Sequence, residues 1–156
     1  MPFLHLDSLN LHKEDWIELV KDHPAGFEIL EWTTEQERDH LHLSYPELDT
    51  RLYPKYCISV AASLRKLLDY GGIVVRGEDV SPIRGLRIIL NDWRTLGQPK
   101  SLTVRGFGYP IYIDKSTIMT CESGDSTCAR YCEKIIEQML RGEWENPTFG
   151  DDVGIM

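Results

Sequence analysis

The stretch from Gly71 to Arg105, GGIVVRGEDVSPIRGLRIILNDWRTLGQPKSLTVR, constrains the fold more than any other. Ile73, Val74 and Val75 form a short β-branched run, the composition of a buried strand. Ser81-Pro82 then opens a helix, with Ser as N-cap and Pro at the first helical position. Leu86, Ile89, Leu90, Trp93 and Leu96 recur at three- and four-residue steps and make one apolar helix face. Gly97 and Pro99 end that helix, and Leu102 to Val104 read as another strand. Strand, helix and strand over about 35 residues suit a crossover unit, which lays its helix on one face of a sheet.

The flanking segments extend the pattern. Phe3 to Leu6 reads as a first strand. Asn10 or His12 caps a helix from Lys13 to Asp22 that buries Trp16, Leu19 and Val20, and His23-Pro24 ends it. Phe27 to Trp32 is a strand. Thr34 and Glu37 have capping-box spacing for a short helical turn. His40 to Ser44 alternates, with Leu41 and Leu43 on one side and His40, His42 and Ser44 on the other, which predicts a strand. Tyr45 to Tyr53 is a loop. A long helix runs from Pro54 to the Gly71-Gly72 stop, with Cys57, Val60, Ala61, Leu64, Leu67 and Leu68 along one side. Ile111 to Asp114 and Thr117 to Cys121 are further strands. Ser126 caps a last helix to about Arg141, with Gly142 just past it.

These elements predict a mixed α/β (α+β) domain, with a mixed sheet of about six short strands and about four helices in two or three layers. The early alternation of strand and helix favours parallel pairing. The short connections between Leu102 and Cys121 favour an antiparallel meander. Residues 1–142 are expected to form one domain, followed by an acidic tail over 143–156. At 156 residues the chain can bury a core without disulfides or metal.

Charge narrows the function classes. The net charge of -8 is unevenly spread: residues 1–50 carry 3 Lys/Arg against 12 Asp/Glu, and residues 51–105 carry 10 against 4. An acidic balance argues against general nucleic-acid binding, because phosphate repulsion must be overcome everywhere but one patch. No run reaches the length of a membrane span, and Met1 to Asn10 has no signal-peptide pattern, so a cytoplasmic protein with free thiols is expected.

Candidate chemistry is sparse. Gly-x-Ser-x-Gly, His-Glu-x-x-His and the Walker A pattern are absent. Cys121, Cys128 and Cys132, with His40 or His42, have the donor chemistry for zinc but not a zinc spacing. Cys128 and Cys132 also lie on an apolar stripe with Ile135, Ile136 and Met139, so packed core thiols are expected, with no metal and no cofactor. The loop Arg76 to Ser81 leads into a helix N-terminus. Glu78 and Asp79 already offer that terminus negative charge, so capping is favoured over an anion site.

The functional expectation is a non-enzymatic, acidic protein-binding module, of the immunity-protein, antitoxin or phage anti-defence kind, with a basic protein partner. Glu14, Glu18 and Asp22 on the first helix carry that reading. Arg84, Arg87 and Arg94 on one flank of the central helix, and Phe107 and Tyr109 in a turn, are further binding candidates. One alternative is a small enzyme whose site gathers around His40, His42, Glu47 and Cys121. Another is a nucleic-acid binder that uses the arginine stripe.

Overall fold

The computed structural model describes residues 3–23, 26–82, 118–121, 123–124 and 126–143. β1 (Phe3–Asp7), α1 (Lys13–Val20), β2 (Glu28–Trp32), α2 (Thr34–Ser44), α3 (Lys55–Tyr70), β3 (Gly72–Val75), β4 (Ile118–Cys121) and α4 (Ser126–Leu140) follow in that order, with a 3-10 turn at Thr50–Leu52. The four strands form one mixed sheet in the order β2-β1-β3-β4. β1 pairs parallel with both β2 and β3, and β3 pairs antiparallel with β4. The mixed α/β class is as the sequence predicts; the described residues hold four strands and do not support the expected six.

Strand alternation sends successive side chains to opposite faces. Leu4, Leu6, Ile73 and Val75 point to one face, where Trp16 and Val20 of α1 cover them. His5 and Val74 point to the other. There Val74 and Met119 meet α3 and α4, through Val60, Leu64, Leu67, Cys132 and Ile135 among others. The result is three layers. Each fully buried Leu, Ile or Val contributes about 1.5–3 kcal/mol of transfer free energy, so α3, with nine buried residues, ties the layers together.

α3 matches its reading almost residue for residue. Pro54 stands at its N-cap, and Gly71 stops it with φ 68°. Gly72 is held to glycine by β1. Its φ is 96°, and a Cβ there would collide with the Phe3 backbone. The close approach lets β3 pair with β1.

The segment His40 to Ser44 is a correction. It is the last part of α2, not a strand. The helix starts at a capping box one residue earlier than the spacing suggests: Thr33 Oγ1 accepts from Gln36 N at 3.1 Å, and Thr33 N donates to Gln36 Oε1 at 2.8 Å. Once started, the helix separates the two leucines that looked paired. Leu41 is fully buried and Leu43 is 80 % exposed. The strands read at Leu102 to Val104 and Ile111 to Asp114, the central helix from Ser81 to Leu96 beyond its first two residues, and the tail beyond Glu143 lie outside the described residues.

Candidate functional site at the carboxyl ends of the strands

The connection from β1 to β2 runs through α1 on one face of the sheet. The connection from β2 to β3 runs through α2 and α3 on the other. β2 and β3 flank β1 on opposite sides. The chain therefore reverses direction across the sheet between β1 and β3. In open parallel sheets such a reversal parts the two connecting loops and leaves a crevice at the carboxyl ends of the strands.

A cleft of about 400 Å³ lies at that point. Asp7, the last residue of β1, lines it with Arg76, Gly77 and Glu78, which follow β3. Lys55, Tyr56 and Ser59, on the first turns of α3, complete the wall. The volume is within the range of small-molecule sites.

The two loops at the rim are fastened to each other. Asn10 Nδ2 donates to the carbonyls of Gly77 (3.2 Å) and Val80 (3.1 Å). Leu11 N donates to Glu78 O at 2.7 Å. Trp16 Nε1 donates to Val80 O at 2.8 Å, and His12 Nε2 lies 2.7 Å from Asp79 Oδ1. Asp7 Oδ1 accepts from Leu9 N at 2.8 Å, which orients the carboxylate. The two rim loops are thus tied together by backbone hydrogen bonds and by the buried Asn10 and Trp16, while the lining side chains Lys55, Tyr56 and Glu78 are exposed.

Its charges are opposed in pairs. Lys55 Nζ donates to Glu78 Oε1 at 2.9 Å, and this hydrogen bond holds the Lys55 ammonium above its ordinary pKa, with the charge of Asp7 adding to it. The Arg76 guanidinium lies 5.6 Å from the Tyr56 ring centre, in cation–π range. Of the loop acids, Glu78 pairs with Lys55 and Asp79 with His12; the helix that they were expected to cap lies outside the described residues.

Those candidate site residues read from sequence that are described do not line the cleft. Glu14 and Glu18 are exposed on α1 and Asp22 is exposed just beyond it. Arg84, Arg87, Arg94, Phe107 and Tyr109 lie outside the described residues. His40 and His42, two positions apart on a helix, diverge by about 200° instead of sharing a side. His40 Nε2 is 2.8 Å from Asp69 Oδ2, while His42 Nδ1 is 3.2 Å from Leu48 O. Glu47 is exposed. Cys121 pairs with Gly72, at the amino end of β3 and so at the opposite end of the sheet from the cleft. Cys57, Cys128 and Cys132 are buried free thiols. Among the described residues no group of three or more His, Cys, Asp or Glu can hold a metal ion.

Asp7, Lys55 and Ser59 went unmarked in the sequence reading, and Arg76 entered it only as the start of a loop read as capping rather than anion-binding. The one available signal was position: Asp7 and Arg76 are each the first charged residue after an apolar strand run. No protein-family model, curated protein or solved structure matches the chain. No helix among the described residues is long and apolar enough to cross a membrane.

Proposed function

We propose that this chain is a binding domain that holds a small polar molecule in the cleft between β1 and β3. The observation that carries the reading is the convergence of Asp7, Lys55 and Arg76 on a fastened cleft at the point where the sheet reverses direction. Convergent polar groups in a preformed concavity are what orient a small ligand. A ligand that binds only the folded state raises its melting temperature. A melting-temperature screen of small polar molecules tests this on the protein and on Ser59→Phe, which fills the cleft from α3. A stabilising ligand of the native protein that leaves Ser59→Phe unmoved supports the reading. A ligand that stabilises both equally contradicts it.

A second reading keeps the acidic protein-binding face. Glu14, Glu18 and the 42 % exposed Ile17 share the outer side of α1, which gives an apolar contact ringed by acids. Such a face suits a basic protein partner, with the charges acting mainly on association rate. Reversing Glu14 and Glu18 to Lys together would slow association at low salt without lowering the melting temperature. An unchanged rate would remove α1 from the interface. The buried free thiols Cys57, Cys128 and Cys132 support a reducing compartment, and we propose the cytoplasm.

A further inference from the structure

The pairing of charges inside the cleft narrows what can enter it, and the narrowing rests on the cleft being the binding site. Lys55 is a cation held among acids: Glu78 Oε1 lies 2.9 Å from its Nζ, and Asp7 acts on it through space. The Glu78 and Lys55 side chains are each half in water. An ion pair so exposed contributes little, so Glu78 can give way at small cost. Arg76 lines the cleft with its guanidinium 5.6 Å from the Tyr56 ring centre, and a guanidinium has the chemistry to pair with a phosphate or carboxylate. Asp7 offers the opposite chemistry. Its carboxylate, oriented by the Leu9 N–H, accepts hydrogen bonds from hydroxyl or amine groups.

We infer that the cleft takes a small molecule that bears an anionic group together with hydroxyl or amine donors, and that the Lys55–Glu78 pair is a latch opened by the anion. The anion takes the place of Glu78 on Lys55 and meets Arg76. The donors of the same molecule meet Asp7. Glu78 then acts as a built-in competitor: it occupies Lys55 when the cleft is empty and sets a threshold that simple anions pass poorly.

Titration calorimetry of the full chain in low-salt, phosphate-free buffer tests this with three probes: ribose 5-phosphate, ribose and inorganic phosphate. Ribose 5-phosphate is expected to bind more tightly than either fragment. Glu78→Gln, which removes the competitor, should tighten it about three- to tenfold, the scale of one charge-assisted contact. Lys55→Gln should weaken it about tenfold or more, and Lys55→Arg should restore most of the loss. Asp7→Asn should weaken ribose 5-phosphate but not inorganic phosphate, which loses no hydrogen bond and gains from the removal of a nearby negative charge. Unchanged melting curves establish that each variant is folded. Weaker or unchanged binding in Glu78→Gln overturns the latch. Ribose binding as tightly as ribose 5-phosphate overturns the anion. Should none of the three bind while the melting screen finds a ligand excluded by Ser59→Phe, the ligand class is wrong and the cleft stands. Should both experiments find nothing, both inferences fall.

Discussion

Lys66 Nζ and Glu37 Oε2 lie 2.6 Å apart with both residues more than nine-tenths out of water, and the Lys66 ammonium sits 4.8 Å from the Trp32 ring centre. Burial pulls the ammonium below its ordinary pKa, and the Glu37 charge opposes that pull. The pair joins α2 to α3 under the end of β2. Removing one partner strands the other charge in the interior, so Lys66→Met is expected to cost about 3–5 kcal/mol. Lys66→Met with Glu37→Leu should recover most of the loss, because no unpaired charge remains. Urea unfolding of the two single variants and the double variant gives the comparison. A double variant no more stable than Lys66→Met alone would contradict this.

His5 is buried between Trp32 and Gly71. Trp32 Nε1 donates to His5 Nδ1 at 3.2 Å, and His5 Nε2 is left to donate to Gly71 O at 3.0 Å. That arrangement needs the neutral ring, and burial lowers its pKa to about 4. The unfolded state, with the ordinary value near 6.5, binds the proton first. The stability from a neutral His5 is therefore complete above pH 6.5 and is lost as the pH falls from there to about 4. The loss is roughly 3 kcal/mol in full. Denaturant melts of the native chain and His5→Gln between pH 7 and 4 should show the native chain losing more. Parallel losses would contradict it.

Gly72→Ala is expected to destabilise by about 3 kcal/mol or more, since it adds left-handed backbone strain to a collision with β1. The Phe3 backbone is the obstacle. Gly142, with φ 79° and open space around it, provides the contrast. There Ala should cost only about 1 kcal/mol, from strain alone. Equal losses at the two positions would mean that the contact with β1 does not matter.

The thiols are expected to be slow. Burial pushes Cys57 up to about 11 and also raises Cys132, whose Sγ lies 3.1 Å from Tyr45 Oη. The reactive species is the thiolate, so a disulfide reagent at pH 7 should not reach Cys57, Cys128 or Cys132 until the protein unfolds. Rapid labelling of any of them in the native protein, mapped by mass spectrometry, would contradict this.

What the sequence disclosed follows from the range of each signal. α3 was legible because Pro54, the Gly71 stop and the apolar spacing between them are local and agree. β1, β2 and β3 were legible from short apolar runs with turn residues at their ends. The end of α2 was misread because Leu41 and Leu43 satisfy a period of two. The decisive information was the Thr33–Gln36 cap seven residues upstream, together with burial of Glu37, which only a partner such as Lys66 permits. The cleft as a whole could not be read, although the loop from Arg76 that forms one wall stood out as a candidate anion site. Asp7, Lys55 and Arg76 are some 20 to 70 positions apart in the chain, and only the reversal of strand order between β1 and β3 brings them together.

The most direct test of the cleft is the map of backbone amide shifts in an isotope-labelled sample titrated with ribose 5-phosphate. The largest shifts are expected at Asp7, Tyr56, Ser59 and Gly77, with Glu14 and Glu18 on α1 unmoved. Shifts confined to α1, or spread evenly over the surface, would contradict the cleft as the binding site.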